Sequence, residues 1–153
     1  MIRSKKGFTF VEVLVVVAIL AVVVTGLIRL FVYCSDSSDM AGNKTLAVIA
    51  AQTKLEEIRD HNFASIVADY SFGGTPGNSF ALIYSTGNGN IYLTQIDPNL
   101  LEVEVVVSFE NKRRLVIGED QDLDGVMDVG EDVNTNGKLD SVVTLSTLIA
   151  KRY

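Results

Sequence analysis

The sequence predicts an α+β protein in which one long N-terminal helix packs on a small antiparallel β-sheet. Three observations predict this class: a long apolar run near the N-terminus, an amphipathic stretch after it, and several short segments of alternating apolar and polar residues in the C-terminal half. The chain is divided accordingly into segments 1–7, 8–30, 31–62 and 63–153.

The apolar run follows Gly7 and extends to Ile28, and Glu12 is its one ionised side chain. About 20 apolar residues in a helix cross the hydrocarbon of a bilayer, so residues 8–30 are predicted to span a membrane. A carboxylate inside a bilayer costs about 2.5–3.5 kcal/mol even on mild insertion scales. Glu12 is therefore expected to meet a positively charged partner, although a plain membrane anchor with an incidental glutamate is the simpler alternative.

The boundary at Gly7 makes the prediction more specific. The segment before it carries Arg3, Lys5 and Lys6 and is expected to stay in the cytoplasm. No small-x-small cleavage site follows the apolar run, unlike in a secretory signal. The junction reads KKGFTFVEVLVVVAIL. It resembles the N-terminus of the type IV pilin and pseudopilin family, in which glycine ends a basic leader, an aromatic residue opens the processed chain, and glutamate is its fifth residue.

The resemblance implies a processing route and a place of action. A prepilin peptidase would cut between Gly7 and Phe8 and methylate the new amino group of Phe8. The chain would be a single-pass protein of a bacterial inner membrane, with its C-terminal domain outside the cytoplasm. Glu12 would neutralise the terminal ammonium of a neighbouring subunit during assembly, because opposite charges offset each other's burial cost in apolar surroundings.

The implied role is that of a structural subunit in a type IV pilus (a fimbrium) or in the pseudopilus of a type II secretion system. Two features favour a minor pilin or minor pseudopilin: the segment AQTKLEEIR at residues 51–59, and the absence of the helix proline that major pilins often carry. The alternative from another class is a monomeric membrane-anchored module that binds calcium and recognises a ligand outside the cytoplasm.

Composition excludes other classes of function. Without the three basic leader residues, ten basic residues stand against 19 acidic ones, which gives a net charge of −9. An acidic chain of this kind is not expected to bind nucleic acid. His61 is the one histidine, and no serine or threonine has a base nearby in the sequence, so the chain is not predicted to be an enzyme.

The remaining elements follow from periodicity. Residues 33–39 form a polar patch that either breaks the helix or is bridged by it, and an amphipathic helix then runs to about His61. Its predicted apolar face comprises Ala41, Val48, Ala51, Leu55 and Ile58. Residues 63–78 are predicted to be irregular, residues 86–90 (TGNGN) to form a turn, and residues 80–85, 91–96, 101–109, 115–117 and 141–149 to form strands. The strand at residues 101–109 has the clearest alternation, which should fix its register.

A stretch rich in carboxylates, DQDLDGVMDVGEDVNTNGKLD, fills residues 120–140. Alternate side chains of a tightly wound loop converge on one point, a glycine at the sixth position permits the reversal, and a carboxylate at the twelfth can bind through both oxygens. This spacing is typical of a calcium-binding loop, and ligands that are all oxygen favour a hard cation. The predicted calcium ligands are the side chains of Asp120, Asp122, Asp124, Asp128 and Glu131 and the backbone carbonyl of Val126.

A second, degenerate copy of this loop follows directly. Its candidate ligands are Asp132, Asn134, Asn136 and Asp140, and Val143 occupies the position of the closing glutamate. One shared ion and two separate ions both remain open at this point. Because the flanking segments resemble strands, the expected role of calcium is a structural clip rather than a sensor that opens a groove.

Overall fold

The computed structural model describes residues 7 and 9–151 of the 153-residue chain. Residues 1–6 of the predicted leader (residues 1–7) and the predicted methylation position, Phe8, lie outside the described residues. The chain divides between Ser38 and Asp39 into two compact units. The amphipathic part of the N-terminal helix therefore belongs to the same unit as the sheet.

Helix α1 runs without interruption over Phe10–Asp60, a length of 51 residues. The polar patch at residues 33–39 is bridged by the helix rather than breaking it. Threonine hydroxyls along α1 donate to the carbonyl four residues earlier, as in the 2.7 Å bond from Thr25 Oγ1 to the oxygen of Ala21. This bonding satisfies a polar group on the apolar part of the helix without a partner from elsewhere.

The second half of α1 supplies one side of the hydrophobic core. Its buried residues recur at four- and three-residue steps, which matches the predicted amphipathic periodicity. They are Ala47, Ala51, Leu55 and Ile58, with Val48 packed partly against them. The inclusion of Ala41 in the apolar face was wrong, because this residue lies exposed, one to two turns before the buried stripe begins.

A second helix, α2, covers Phe63–Asp69, where the sequence pattern predicted irregular structure. Asn62 caps it, because the Asn62 side chain accepts a hydrogen bond from the backbone N–H of Ala64 at 3.1 Å. Ile66 and Tyr70 are buried in the core. Seven residues are too few to display a helical period in the sequence. A helix this short is not stable by its intrinsic helix propensity, and the burial of these two side chains stabilises it.

The sheet has five antiparallel strands: β1 (Ser79–Ala81), β2 (Gly87–Asp97), β3 (Leu100–Glu110), β4 (Val116–Ile117) and β5 (Thr144–Ala150). Strand β2 lies between β1 and β3, and β3 also pairs with β4 near its C-terminal end and with β5 along the rest of its length. The α+β prediction is confirmed. The predicted strand at residues 80–85 is much shorter, and the predicted turn at residues 86–90 was wrong because those residues after Thr86 belong to β2.

The glycines of the segment TGNGN serve close approach rather than a turn. A Cβ atom on Gly87 would lie 2.6 Å from the backbone oxygen of Ser108, and one on Gly89 would lie 2.3 Å from the Phe80 ring. Both distances are shorter than any normal contact, so these strand positions accept only glycine without rearrangement.

Strand β3 lies at the centre of the domain. Its core-facing side chains are all 2% exposed or less, and they are Leu101, Val103, Val105, Val107 and Phe109. The opposite face carries Glu102 and Glu104, so the register predicted from alternation is confirmed. That opposite face, together with the neighbouring side chains of β2, supports the acidic loops.

Candidate functional site

The first half of α1 is an exposed apolar surface. Among the described helices, Phe10–Asp60 has a stretch long and apolar enough to cross a membrane, and the most apolar part of it is not buried within the chain. Ala18, Ala21 and Gly26 are exposed on it, and a Cβ atom on Gly26 would meet nothing within 4 Å. Small residues on a helix surface permit another helix to approach closely.

Glu12 lies in the first turn of this helix. Its backbone N–H donates a 3.3 Å hydrogen bond to Thr9 Oγ1, and the N–H of Val13 donates to the carbonyl of Thr9. Thr9 is therefore the N-cap and Glu12 is the third helical residue, and the bond between them uses the backbone N–H of Glu12. Within the part of the chain that the structure describes, no side chain pairs with the Glu12 carboxylate.

The cap at Thr9 was missed in the sequence, although Thr-x-x-Glu ahead of an apolar run is an ordinary signature of a helix start. The cap uses the backbone N–H of Glu12 and leaves its carboxylate available for another role. The cap and the charge can therefore be changed separately, because a substitution of the Glu12 side chain keeps this N–H.

Three of the predicted metal ligands converge. The carboxylates of Asp120, Asp122 and Asp124 each offer an oxygen atom, and these oxygens lie within 4.8 Å of one another. The loop winds tightly, with Leu123 at φ 62° and Gly125 at φ 77°. The backbone N–H of Gly125 donates to Asp120 Oδ2 at 3.1 Å.

Glu131 reaches back across the loop from its twelfth position. Its Oε1 accepts from the N–H of Gln121 at 2.7 Å, and its Oε2 accepts from the N–H of Asp128 at 3.0 Å. The side chain is 7% exposed. The carboxylate thus closes the loop through both oxygens, and each oxygen retains a second lone pair. Asp128 contributes its backbone to this closure and its side chain is exposed; the Val126 carbonyl follows Gly125 in the same turn.

Asp120 is the most unusual of these groups. It is 1% exposed, and its Oδ1 atom has no hydrogen-bond partner. Burial raises the pKa of Asp120 to about 6, the nearby charges of Glu131 and Asp122 raise it as well, and backbone N–H groups oppose the rise. A buried carboxylate beside other carboxylates is an arrangement that a cation would stabilise.

The second loop repeats the backbone geometry of the first at an offset of twelve residues. Thr135 and Gly137 have φ of 58° and 77°, as Leu123 and Gly125 do in the first loop. The N–H of Gly137 donates to Asp132 Oδ2 at 2.8 Å, which matches the bond between Gly125 and Asp120. The degenerate copy recognised in the sequence is therefore a structural repeat.

The outer face of the sheet holds both loops. In the first loop, the side-chain amides of Asn88 and Asn90 donate to the carbonyls of Leu123 and Gly125, both at 3.1 Å. In the second, the N–H of Leu139 donates to the hydroxyl of Tyr92 at 2.7 Å. The sequence carries one signal of these contacts, since polar residues alternate with apolar ones along β2 from Asn88 to Tyr92.

A charged pair adds a further tie to the second loop. Lys138 Nζ donates to Glu104 Oε2 on β3, and it also lies 5.4 Å from the centre of the Tyr92 ring. The hydrogen bond that Lys138 donates to Glu104 raises the pKa of Lys138, and burial opposes the rise. Lys138 is therefore held over the outer face of the sheet by one carboxylate and one ring.

The chain matches the family described as the prokaryotic N-terminal methylation motif over residues 2–28. This match covers the basic leader, Gly7, Glu12 and the apolar run. No curated protein and no solved structure matches the chain. The acidic loops lie outside the matched segment, so their interpretation depends on their own geometry.

Proposed function

We propose that this chain is a member of the type IV pilin and pseudopilin family and a minor subunit of a type IV pilus or of a type II secretion pseudopilus. The N-terminal methylation motif at residues 2–28 supports the proposal. The observation that carries the proposal is the exposed apolar half of α1 with Glu12 in its first turn, directly after the predicted cleavage position. The role is structural: the helix packs among the helices of neighbouring subunits.

Processing precedes this role. A prepilin peptidase cuts between Gly7 and Phe8 and methylates the amino group of Phe8. The methylation motif at residues 2–28 supports this step, and so does the exposed position of Gly7. The basic leader stays in the cytoplasm, residues 8–30 cross the inner membrane, and the C-terminal domain lies outside the cytoplasm.

Assembly requires the apolar surface of the helix to exchange lipid for protein. Association of helices from lipid depends on close packing, and Ala18, Ala21 and Gly26 allow it. Glu12 then sets the register by pairing with the terminal ammonium of a neighbouring subunit. Such a pair offsets the cost of burying each charge alone, which runs to several kcal/mol per ion in apolar surroundings.

A minor rather than a major subunit is supported by two sequence features. No proline occurs in the helix Phe10–Asp60, and the helix end at residues 51–59 resembles that of minor subunits. The uninterrupted course of α1 through the polar patch agrees with the first feature, since a proline inside a helix bends or breaks it.

The second candidate is a monomeric membrane-tethered module that binds calcium and recognises a ligand outside the cytoplasm. The specific observation that favours it is the convergence of three carboxylates at the start of the acidic loops. The two candidates differ in what Glu12 does, because a monomer has no neighbouring subunit whose terminal ammonium Glu12 could pair with.

The decisive experiment compares three variants in the cells that produce the protein. Glu12→Gln removes the charge and keeps a polar side chain of the same length, Glu12→Val removes the charge and the polar group, and Thr9→Val removes the cap and retains the charge. Under the proposal, both Glu12 variants are inserted and cleaved but do not enter the sheared or cross-linked filament fraction. Thr9→Val is expected to enter that fraction.

A different result separates the two candidates. If Glu12→Gln enters filaments as well as the unaltered chain does, Glu12 does not act through its charge and the pairing is excluded. If the unaltered chain itself never enters an assembly, the monomeric module is favoured.

A further inference from the structure

We propose that the first acidic loop binds one calcium ion tightly and that the second loop, its structural repeat, keeps its shape without an ion. The ligands of the ion are the side chains of Asp120, Asp122, Asp124, Asp128 and Glu131 and the carbonyl of Val126. This inference does not depend on whether the chain assembles into a filament.

The strongest evidence for an ion in the first loop is the Oδ1 atom of Asp120. This oxygen is buried and has no hydrogen-bond partner, and it belongs to a residue that is 1% exposed. Oxygen atoms of Asp122 and Asp124 lie within 4.8 Å of the Asp120 carboxylate. An unsatisfied buried anion beside two further anions is costly, and a cation among them removes that cost.

The chemistry of the ligands favours calcium. They are all oxygen, which selects a hard cation, and they number enough for the six to eight bonds that calcium takes. Glu131 is already turned into the loop, with one N–H bonded to each oxygen. Because each oxygen retains a lone pair, the carboxylate can bind an ion through both atoms without breaking these bonds.

In the second loop, neighbouring side chains of the loop itself stabilise a carboxylate. Asp140 Oδ2 accepts hydrogen bonds from the amide Nδ2 atoms of Asn134 at 2.6 Å and of Asn136 at 2.8 Å. These amide N–H groups stand in for a cation by directing positive dipole ends at the carboxylate. Within the described residues, no side-chain oxygen of this loop is buried without a partner.

The second loop also lacks the closing ligand. Val143 occupies the twelfth position of this loop, is 2% exposed and belongs to the hydrophobic core. Its side chain has no oxygen that could bind an ion. The loop has two carboxylates, Asp132 and Asp140, where the first has five. Affinity for calcium rises with the number of charged ligands, so the two loops are expected to be unequal.

An ion in the first loop would act on the sheet. Asn88 and Asn90 hold the carbonyls of Leu123 and Gly125, which lie between and beside the ligands. A Cβ atom on Gly125 would lie 2.7 Å from the Cβ atom of Ser79 on β1, so the loop also touches the edge strand. Calcium would therefore hold the loop in the conformation that contacts β1 and β2, which is a structural role.

The test is a calorimetric titration of the full-length protein in detergent micelles, first stripped with a chelator and then titrated with calcium chloride. We expect one tight site per chain, with a dissociation constant between about 10⁻⁷ and 10⁻⁵ M, and much weaker binding of magnesium. Two equivalent sites, only a millimolar site, or no binding at millimolar calcium would overturn the proposal.

Matched variants assign the site to a loop. Asp120→Asn and Asp132→Asn remove one charge each from equivalent positions of the two loops. The first is expected to lose the tight site and the second to retain it. Glu131→Gln serves as an additional variant should Asp120→Asn fail to fold, because the glutamine oxygen still accepts a backbone N–H but cannot bind through two oxygens. Retention of the tight site by a folded Asp120→Asn or by Glu131→Gln, or its loss in Asp132→Asn, contradicts the assignment.

Discussion

The hydroxyl of Tyr70 donates a 3.0 Å hydrogen bond to Oε1 of Glu57, and this bond ties the chain after α2 to the last turns of α1. Tyr70 is 2% exposed, and its ring also meets the ring of His61 edge-on at 5.3 Å. Lys54 donates to the other oxygen of Glu57 at 2.6 Å. Burial raises the pKa of Glu57, but the hydrogen bonds from Lys54 and Tyr70 outweigh it and hold the pKa below its ordinary value.

Because of this contact, the free energy of unfolding is expected to decrease as pH rises in the alkaline range. Burial, followed by the bond and the charge of Glu57, raises the pKa of Tyr70 to about 12. Since an unfolded tyrosine titrates near 10, the contribution of Tyr70 is complete below about pH 10 and is lost between about pH 10 and pH 12. Tyr70→Phe should cost about 1 kcal/mol at neutral pH through the lost bond. In denaturant unfolding, the difference between the two proteins should shrink as pH rises; a constant difference would contradict the assignment.

Two glycine substitutions are expected to act in opposite directions. Gly87→Ala drives a Cβ atom to 2.6 Å from the Ser108 backbone oxygen, which the paired strand cannot easily move. We expect a loss of about 1–3 kcal/mol in the free energy of unfolding. Gly42→Ala is the control, because its Cβ atom meets nothing within 4 Å in the middle of α1. It should stabilise the helix by about 0.5–1 kcal/mol. Equal effects of the two substitutions on thermal unfolding would refute this explanation of Gly87.

Calcium should reverse the stability order of two proteins. In chelator, Asp120→Asn should be at least as stable as the unaltered chain, because it removes a buried charge that lies beside other carboxylates. At about 100 times the dissociation constant, calcium should stabilise the unaltered chain by about 2.7 kcal/mol and leave the variant nearly unchanged. Thermal unfolding with and without calcium measures both. A variant that is less stable by the same amount in both solutions would indicate a purely structural role for Asp120.

Processing gives a prediction for the natural product. Mass spectrometry of the protein from its own cells should find Phe8 as the first residue, with one methyl group on its amino nitrogen. Substitution of Gly7 by a larger residue should leave the leader attached. A protein that still begins at Met1 and functions normally would contradict both the cleavage and the pairing of Glu12.

The sequence predicted those elements that many residues specify together. The strand centred on Val105 was predicted because five core positions alternate with polar ones, and the second half of α1 because its apolar residues repeat over several turns. The TGNGN segment misled because glycine and asparagine favour turns locally, whereas here Gly87 and Gly89 are required by Ser108 and Phe80, which are distant in sequence. Helix α2 was missed because its stability comes from burial of Ile66.

The candidate sites were predictable to a similar degree. Ligand spacing identified Asp120 and its neighbours, since the loop repeats a fixed local geometry. The spacing did not reveal that Asn134 and Asn136 satisfy Asp140 in the second loop, because that depends on which way the side chains turn. The supporting residues Asn88, Asn90 and Tyr92 come from a strand about 35–47 residues away. The alternation along β2 indicates that this face of the strand is polar, but it does not indicate which segment the face contacts.

The N-cap at Thr9 bears on what cleavage would do to the helix itself. The start of a helix carries a partial positive charge from its aligned peptide dipoles, and an ammonium group at Phe8 would be created one residue before the cap. The processed chain would then hold two like charges at one end, an arrangement that favours any acidic group within reach. Glu12 of the same chain and Glu12 of another chain are both such acidic groups. Cleavage would therefore add a positive charge at the start of the membrane helix, and this charge would favour contact with a carboxylate.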